Sequence, residues 1–196
     1  MEYFRQLLRS YTREIYEIPI SKFLIKLGLT PNMITFIGLI ITIFGSYYIF
    51  QGDFLTGGII VGLGTILDSI DGAMARLSNK ESVFGDLLDS VIDRYGEAAI
   101  FLSLACYYLF NSLDEIAVLL CIISMLCSQL ISYVRAKSES LDIENKSGFL
   151  TRVERSLIII FFLLISQPLF ALYILSVGTF FSSIWRLIIG LKNAKN

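Results

Sequence analysis

Residues 67–93 of the chain read LDSIDGAMARLSNKESVFGDLLDSVID. Asp68 and Asp71 stand three apart, and Asp89 and Asp93 stand four apart. On a helix either spacing puts both carboxylates on one face. The sequence flanking the stretch is strongly apolar. Burying unpaired carboxylates near lipid is costly, and such residues mark functional sites. These four need a positive charge to face, and a divalent metal ion supplies it.

Composition agrees that lipid is the solvent. The chain has 196 residues, 55% of them hydrophobic. A soluble domain holds about 45–50% apolar residues even with glycine counted. The chain therefore reads as an integral membrane protein. Cys106, Cys121 and Cys127 all fall in apolar runs without metal-type spacing. They read as buried, inert thiols. Histidine is absent, which removes the commonest general base and the commonest transition-metal ligand. Acid–base and metal chemistry must then use carboxylates, which suit Mg²⁺ or Mn²⁺. The opening MEYFRQLLRSYTREIYEIP is too charged for a signal-peptide core.

A spanning helix needs about 20 mostly apolar residues. Six candidates appear, at 33–50, 54–75, 85–110, 115–135, 151–166 and 168–191, the fifth of them short. The connections near Gly52, Ser112 and Gln167 are short, so consecutive helices should be antiparallel neighbours. The first, third and fifth connections hold no Lys or Arg. Basic residues gather instead in the N-terminal segment (Arg5, Arg9, Arg13, Lys22, Lys26), around Arg76 and Lys80, from Arg135 to Arg155, and at the C-terminal end. Positive charge favours the cytoplasmic side. Both termini and the aspartates are thus expected there, on a multi-pass protein of the cell membrane. In residues 1–30, Tyr3, Phe4, Leu7 and Leu8, then Ile20, Phe23, Leu24 and Leu27, recur with a helical period between basic residues. An amphipathic interfacial helix is expected, with a helix packed on cytosolic protein as the alternative. The expected fold is all-α: that helix, in a juxtamembrane segment 1–30, then a six-helix membrane domain 31–196.

The second and third spans are antiparallel and joined by a short connection around Asn79, so both carboxylate pairs can meet at one depth. Two divalent ions about 3.5–4 Å apart would satisfy them and could clamp a phosphoryl group. Gly72, Ala75 and Gly85 remove side-chain bulk, which permits close helix packing or lets a ligand approach the backbone. Arg76 adds a planar cation suited to phosphate. Asp86 is nearer water and reads as solvated.

The pattern D-x-x-D-G-x-x-A-R-x8-G-x-x-x-D-x-x-x-D, carried by Asp68, Asp71, Gly72, Ala75, Arg76, Gly85, Asp89 and Asp93, resembles the CDP-alcohol phosphatidyltransferase family at all eight positions. The resemblance covers nearly the whole chain. It implies transfer of a substituted phosphoryl group from a cytidine-diphosphate-linked alcohol to an acceptor hydroxyl, with release of CMP. It implies metal ligation by Asp68, Asp71 and Asp89, and a general base at Asp93 that also touches the second metal. It implies donor-nucleotide contacts from Asn32, Gly72, Ala75, Arg76, Ser82 and Gly85. A homodimer is a further expectation from the family.

A second stretch concerns the acceptor. Arg135, Lys137, Lys146, Arg152 and Arg155 lie near the inner ends of the fourth and fifth spans, and Arg186 lies in the sixth. This reads either as positive-inside bias with anionic-lipid contact or as a site for an acceptor phosphate. SYVRAK at 132–137 and TRVER at 151–155 resemble the inositol-phosphate branch of the family, with Lys137 in place of Arg and Thr151 in place of Glu. By that resemblance Arg135, Lys137, Arg152, Arg155 and Arg186 hold the phosphate of an inositol phosphate. The lipid donor is diacyl or archaeal ether; composition does not distinguish them. Glycerol phosphate as acceptor, or CDP-inositol as donor, keeps the fold and changes the substrates. A divalent-cation transporter is the reading from another class, and it gives Arg76 no purpose.

Overall fold

The structure is a computed structural model, and it describes residues 16–145 and 148–194. Helix α1 spans Ile18–Lys26, α2 Pro31–Phe50, α3 Phe54–Leu77, α4 Val83–Tyr107, α5 Glu115–Glu139, α6 Arg152–Leu164 and α7 Pro168–Asn193. A π-helical turn, Tyr108–Ser112, continues α4. No strand occurs among the described residues.

Local chemistry sets the helix ends. The first N–H groups of a helix have no partner inside it, so a side-chain oxygen caps them. Thr30 Oγ1 accepts from Met33 N–H at 3.4 Å, and Pro31 opens α2 where a missing N–H costs nothing. Asp53, Ser82 and Asp114 cap α3, α4 and α5 at 3.0–3.1 Å. The Glu154 carboxylate accepts the Thr151 N–H at 2.7 Å at the start of α6. At the far ends the chain turns through left-handed residues, Gly52 after α2 (φ 85°) and Asn79 after α3 (φ 51°). Asp53 N–H then reaches the Tyr48 carbonyl, and Lys80 N–H the Ala75 carbonyl, both at 3.0 Å. Such closures end a helix within two residues, which is why the connections are short.

Among the described residues four helices, α2, α3, α5 and α7, are long and apolar enough to cross a membrane. Six were expected. α4 has the length, 25 residues, but it carries Asp86, Asp89, Asp93, Arg94 and Glu97. α6 has 13 residues, about 20 Å of helix against a hydrocarbon core of about 30 Å. Of the expected N-terminal helix, residues 1–15 lie outside the described residues. α1 belongs to its second half.

Residues 1–43 with 60–96 form one compact unit, and residues 44–59 with 97–196 a second. In the first, Ile34, Ile70 and Met74 are fully buried, and Ile20, Leu24 and Ile25 of α1 pack on them. Ser21 Oγ reaches the Ile70 carbonyl, and Tyr16 and Ser69 share a hydroxyl contact at 3.2 Å. Phe23 and Leu27 point outward, each 61% exposed. α2 and α3 approach closely at Gly38 and Gly64, where a Cβ on Gly64 would lie 3.1 Å from the Gly38 carbonyl oxygen. In the second unit, α5 packs along α7, and α6 also packs on α7. There a Cβ on Gly57 would lie 3.0 Å from the Gly45 carbonyl oxygen. The pairs 38/64 and 45/57 mark α2 and α3 as the antiparallel neighbours expected from the short Gly52 connection. Cys121 and Cys127 are buried, and all three cysteines are free thiols.

Candidate active site

Each carboxylate pair sits next to the Asn79 turn, Asp68 and Asp71 in the last turns of α3, Asp89 and Asp93 in the first turns of α4. Oxygens of Asp68, Asp71 and Asp89 lie within 4.8 Å of one another. Asp71 is buried, and Asp68 and Asp89 are half-buried. Ionised carboxylates at 4.8 Å repel by about 3–4 kcal/mol per pair at an effective dielectric of ~20. A divalent cation among them reverses the sign. Asp93, half-buried, is one turn further along α4 and outside that mutual-distance set. Asp86 is exposed, as expected of a solvated group.

The positions expected to meet the nucleotide fall into two groups in the same unit. On α3 the Arg76 guanidinium folds back over Gly72, its Nη1 3.4 Å from where a Cβ would stand, with Ala75 half-buried beside it. At Gly85 a Cβ would lie 3.2 Å from Ser82 Oγ and 3.4 Å from Asn32 Oδ1. The first turn of α2 and the cap of α4 thus meet over a residue without a side chain. Thr35, a turn beyond Asn32, donates its hydroxyl to Asp71 Oδ2 at 2.6 Å. Sequence reading missed Thr35, because a threonine in an apolar helix looks like any other half-polar core residue.

The basic residues expected to hold a phosphate belong to the second unit. Arg155 is 2% exposed. Its Nε and Nη2 meet the two Glu97 carboxylate oxygens at 2.8 and 3.1 Å, and its Nη1 meets the Leu150 carbonyl at 3.1 Å. Arg186 is 4% exposed, and its Nε has no hydrogen-bond partner among the described residues. Its guanidinium lies against Gly148, where a Cβ would stand 3.0 Å from Nε and 3.1 Å from Cζ. Asn145 Nδ2 donates to Ser138 Oγ at 3.0 Å and to the Arg186 carbonyl at 3.2 Å. Arg135 is exposed and pairs with Glu139 at 2.8 Å. Lys137 is exposed and Arg152 half-buried. Lys146 lies outside the described residues. Glu97 and Asn145 were not legible beforehand; their partners are 58 and 41 residues away in sequence.

A family model described as CDP-alcohol phosphatidyltransferase matches residues 28–185, both aspartate pairs included. The chain belongs to the CDP-alcohol phosphatidyltransferase family. It is a membrane-embedded transferase of substituted phosphate groups, and divalent metal is its cofactor. This CDP-alcohol phosphatidyltransferase is 33% identical over 143 residues to the phosphatidylinositol phosphate synthase of Mycobacterium bovis, 72% of this chain and 66% of that protein. It is 45% identical over 86 residues to the archaetidylinositol phosphate synthase of Pyrococcus horikoshii, 44% of this chain and 46% of that one. Among solved structures, the phosphatidylinositol phosphate synthase of Mycobacterium tuberculosis with CDP-DAG bound superposes with a TM-score of 0.84 at 28% identity, over 89% of this chain and 93% of that one. The same synthase has been solved with manganese and citrate, again at a TM-score of 0.84 and 28% identity, over 89% of this chain and 88% of that one.

The residues present in this CDP-alcohol phosphatidyltransferase fit a divalent ion. Asp68, Asp71 and Asp89 offer converging hard oxygen donors of the kind that Mg²⁺ and Mn²⁺ take.

Proposed function

We propose that the protein transfers a phosphatidyl-type or archaetidyl group from a CDP-linked lipid to a hydroxyl of an inositol phosphate, releasing CMP, in phospholipid synthesis. The convergence of Asp68, Asp71 and Asp89 carries the reading. These three are the metal ligands, with Asp93 contributing to a second ion. Bound metal supplies charge stabilisation for the diphosphate and for departing CMP. Asn32, Gly72, Ala75, Arg76, Ser82 and Gly85 hold the donor nucleotide. The Arg76 guanidinium lying over Gly72 offers a planar cation suited to phosphate. In the reaction the acceptor hydroxyl oxygen forms a bond to the lipid-bearing phosphorus. The bond from that phosphorus to the CMP oxygen breaks, and Asp93 takes the hydroxyl proton. Direct attack needs no other nucleophile.

Arg135, Lys137, Arg152, Arg155 and Arg186 hold the acceptor phosphate. The support is the burial of Arg186 with an Nε that no described residue satisfies. A buried guanidinium in this state is costly unless an anion reaches it. Arg155 keeps N–H groups to spare, since a guanidinium has five and Glu97 and Leu150 take three. The names of the mycobacterial and Pyrococcus relatives favour an inositol phosphate over other phosphorylated alcohols.

The same reading includes six spans, with α4 and α6 joining the four apolar helices, and with both termini and the active site cytoplasmic. Residues 1–30 form the juxtamembrane segment, α1 lying at the interface with Phe23 and Leu27 outward, and residues 31–196 the catalytic domain, which works as a homodimer. CMP release from a CDP-lipid, assayed against a panel of phosphorylated and unphosphorylated alcohols, tests the proposal. Inositol 1-phosphate should support turnover and unphosphorylated inositol should not. An inert inositol 1-phosphate overturns the acceptor. Turnover with glycerol phosphate, or with CDP-inositol as donor, names the replacement.

A further inference from the structure

The Thr35 hydroxyl and the Asp71 carboxylate are both 5% exposed and lie 2.6 Å apart. That separation is in the range of a charge-assisted O–H···O⁻ bond, about 2.5–2.7 Å. Thr35 Oγ1 is also 3.2 Å from the Pro31 carbonyl, one turn back. A hydroxyl has one proton to give, and the shorter contact to the stronger acceptor takes it. The alternative use, a back-bond within α2, is longer and geometrically ordinary for a helical threonine. Asp71 faces two further carboxylates, Asp68 and Asp89, within 4.8 Å, and its sequence neighbour Ile70 packs in a buried cluster with Ile34 and Met74. Neither neighbouring carboxylate can donate when ionised, and Thr35 engages one of the two Asp71 oxygens.

We propose that Thr35 is a positioning residue for the metal site. By holding Asp71 Oδ2 it sets the rotation of the carboxylate, leaving Oδ1 and a spare lone pair of Oδ2 for the ion shared with Asp68 and Asp89. The inference rests on the reading of Asp71 as a metal ligand. It gives the Pro31–Thr35 turn two duties on one helix turn, Asn32 at Gly85 and Thr35 at Asp71. Partners that orient a metal ligand from behind typically change metal affinity 10–100-fold when removed.

Binding of Mn²⁺ to the purified full chain in detergent, followed by the electron paramagnetic resonance signal of free Mn²⁺ and without substrates, tests this. Thr35→Val keeps shape and removes the hydroxyl, and it should weaken Mn²⁺ binding by roughly 10–100-fold. Thr35→Ser, which keeps the hydroxyl, should restore it. Asp71→Asn should lose the tight site. Wild-type Mn²⁺ affinity in Thr35→Val alongside loss in Asp71→Asn overturns the role of Thr35 and leaves the ligand reading standing. Wild-type affinity in Asp71→Asn overturns the ligand reading itself, and the inference with it. Metal-free melting temperatures separate misfolding from lost orientation. Should Thr35→Val melt early, Thr35→Ala is the comparison, and wild-type Mn²⁺ affinity in it overturns the proposal equally.

Discussion

Asp93 is the residue on which turnover should depend most sharply. In the proposed reaction Asp93, one turn along α4 from the trio, takes the acceptor proton in a chain that has no histidine. Asp93→Asn keeps size and removes the proton acceptor. General-base loss typically costs about 10²–10⁴-fold in rate, so CMP release should fall by that order. Mn²⁺ binding, set mainly by Asp68, Asp71 and Asp89, should persist. Undiminished turnover removes Asp93 from the role. These aspartates were legible in advance because helical spacing reports facing, and because carboxylates in apolar sequence are too costly to be incidental. Thr35, Glu97 and Asn145 were not. Each is an ordinary polar residue until a partner 36, 58 or 41 positions away is known.

Among the helices, the contact between α2 and α3 is the most exacting. Small residues let transmembrane helices approach closely. At Gly64 an added Cβ would lie 3.1 Å from the Gly38 carbonyl oxygen and 3.3 Å from the Thr42 amide nitrogen. Both neighbours are backbone and cannot swing away. Gly64→Ala should therefore cost about 1–3 kcal/mol through overpacking, read as a lower melting temperature in detergent. Gly72→Ala serves as the control. Its Cβ meets the flexible end of Arg76 at 3.4 Å, an ordinary contact, so the melting temperature should hold. An unchanged Gly64→Ala protein would show that the helices separate at little cost. Helix limits were legible at this scale: the spans expected at 33–50, 54–75 and 168–191 lie within two residues of Pro31–Phe50, Phe54–Leu77 and Pro168–Asn193. The seam was not, because a glycine in an apolar helix carries no mark of what passes opposite it.

For the whole molecule, the proposed topology predicts a labelling pattern. Single cysteines at Asn79 and Glu139, in a chain whose own Cys106, Cys121 and Cys127 are replaced by serine, should react with an impermeant thiol reagent only from the cytoplasmic side. Cysteines at Gln51 and Asn111 should react only from the opposite side. Labelling of all four from one side would remove the six-span arrangement. Among the described residues four helices meet the length and composition of a span; α4 and α6 do not, since α4 carries Asp86, Asp89, Asp93, Arg94 and Glu97 and α6 is only 13 residues long. In the proposed six-span arrangement the charges of α4 lower its hydropathy, which is where the proposal and the four apolar helices differ.

The amino-acid sequence by itself determined that this is a membrane-embedded all-helical protein and that four aspartates stand at helical spacing in apolar sequence; that it is a transferase it gave through its resemblance to a family. The first two follow from local periodicity and from the cost of charge near lipid, both written in neighbouring residues. Only the tertiary structure decided that Asp68, Asp71 and Asp89 converge within 4.8 Å, that Thr35 holds Asp71, and that Glu97 holds Arg155. Those are contacts between helices, and each depends on how two helices pack, a property of the pair that neither helix carries alone.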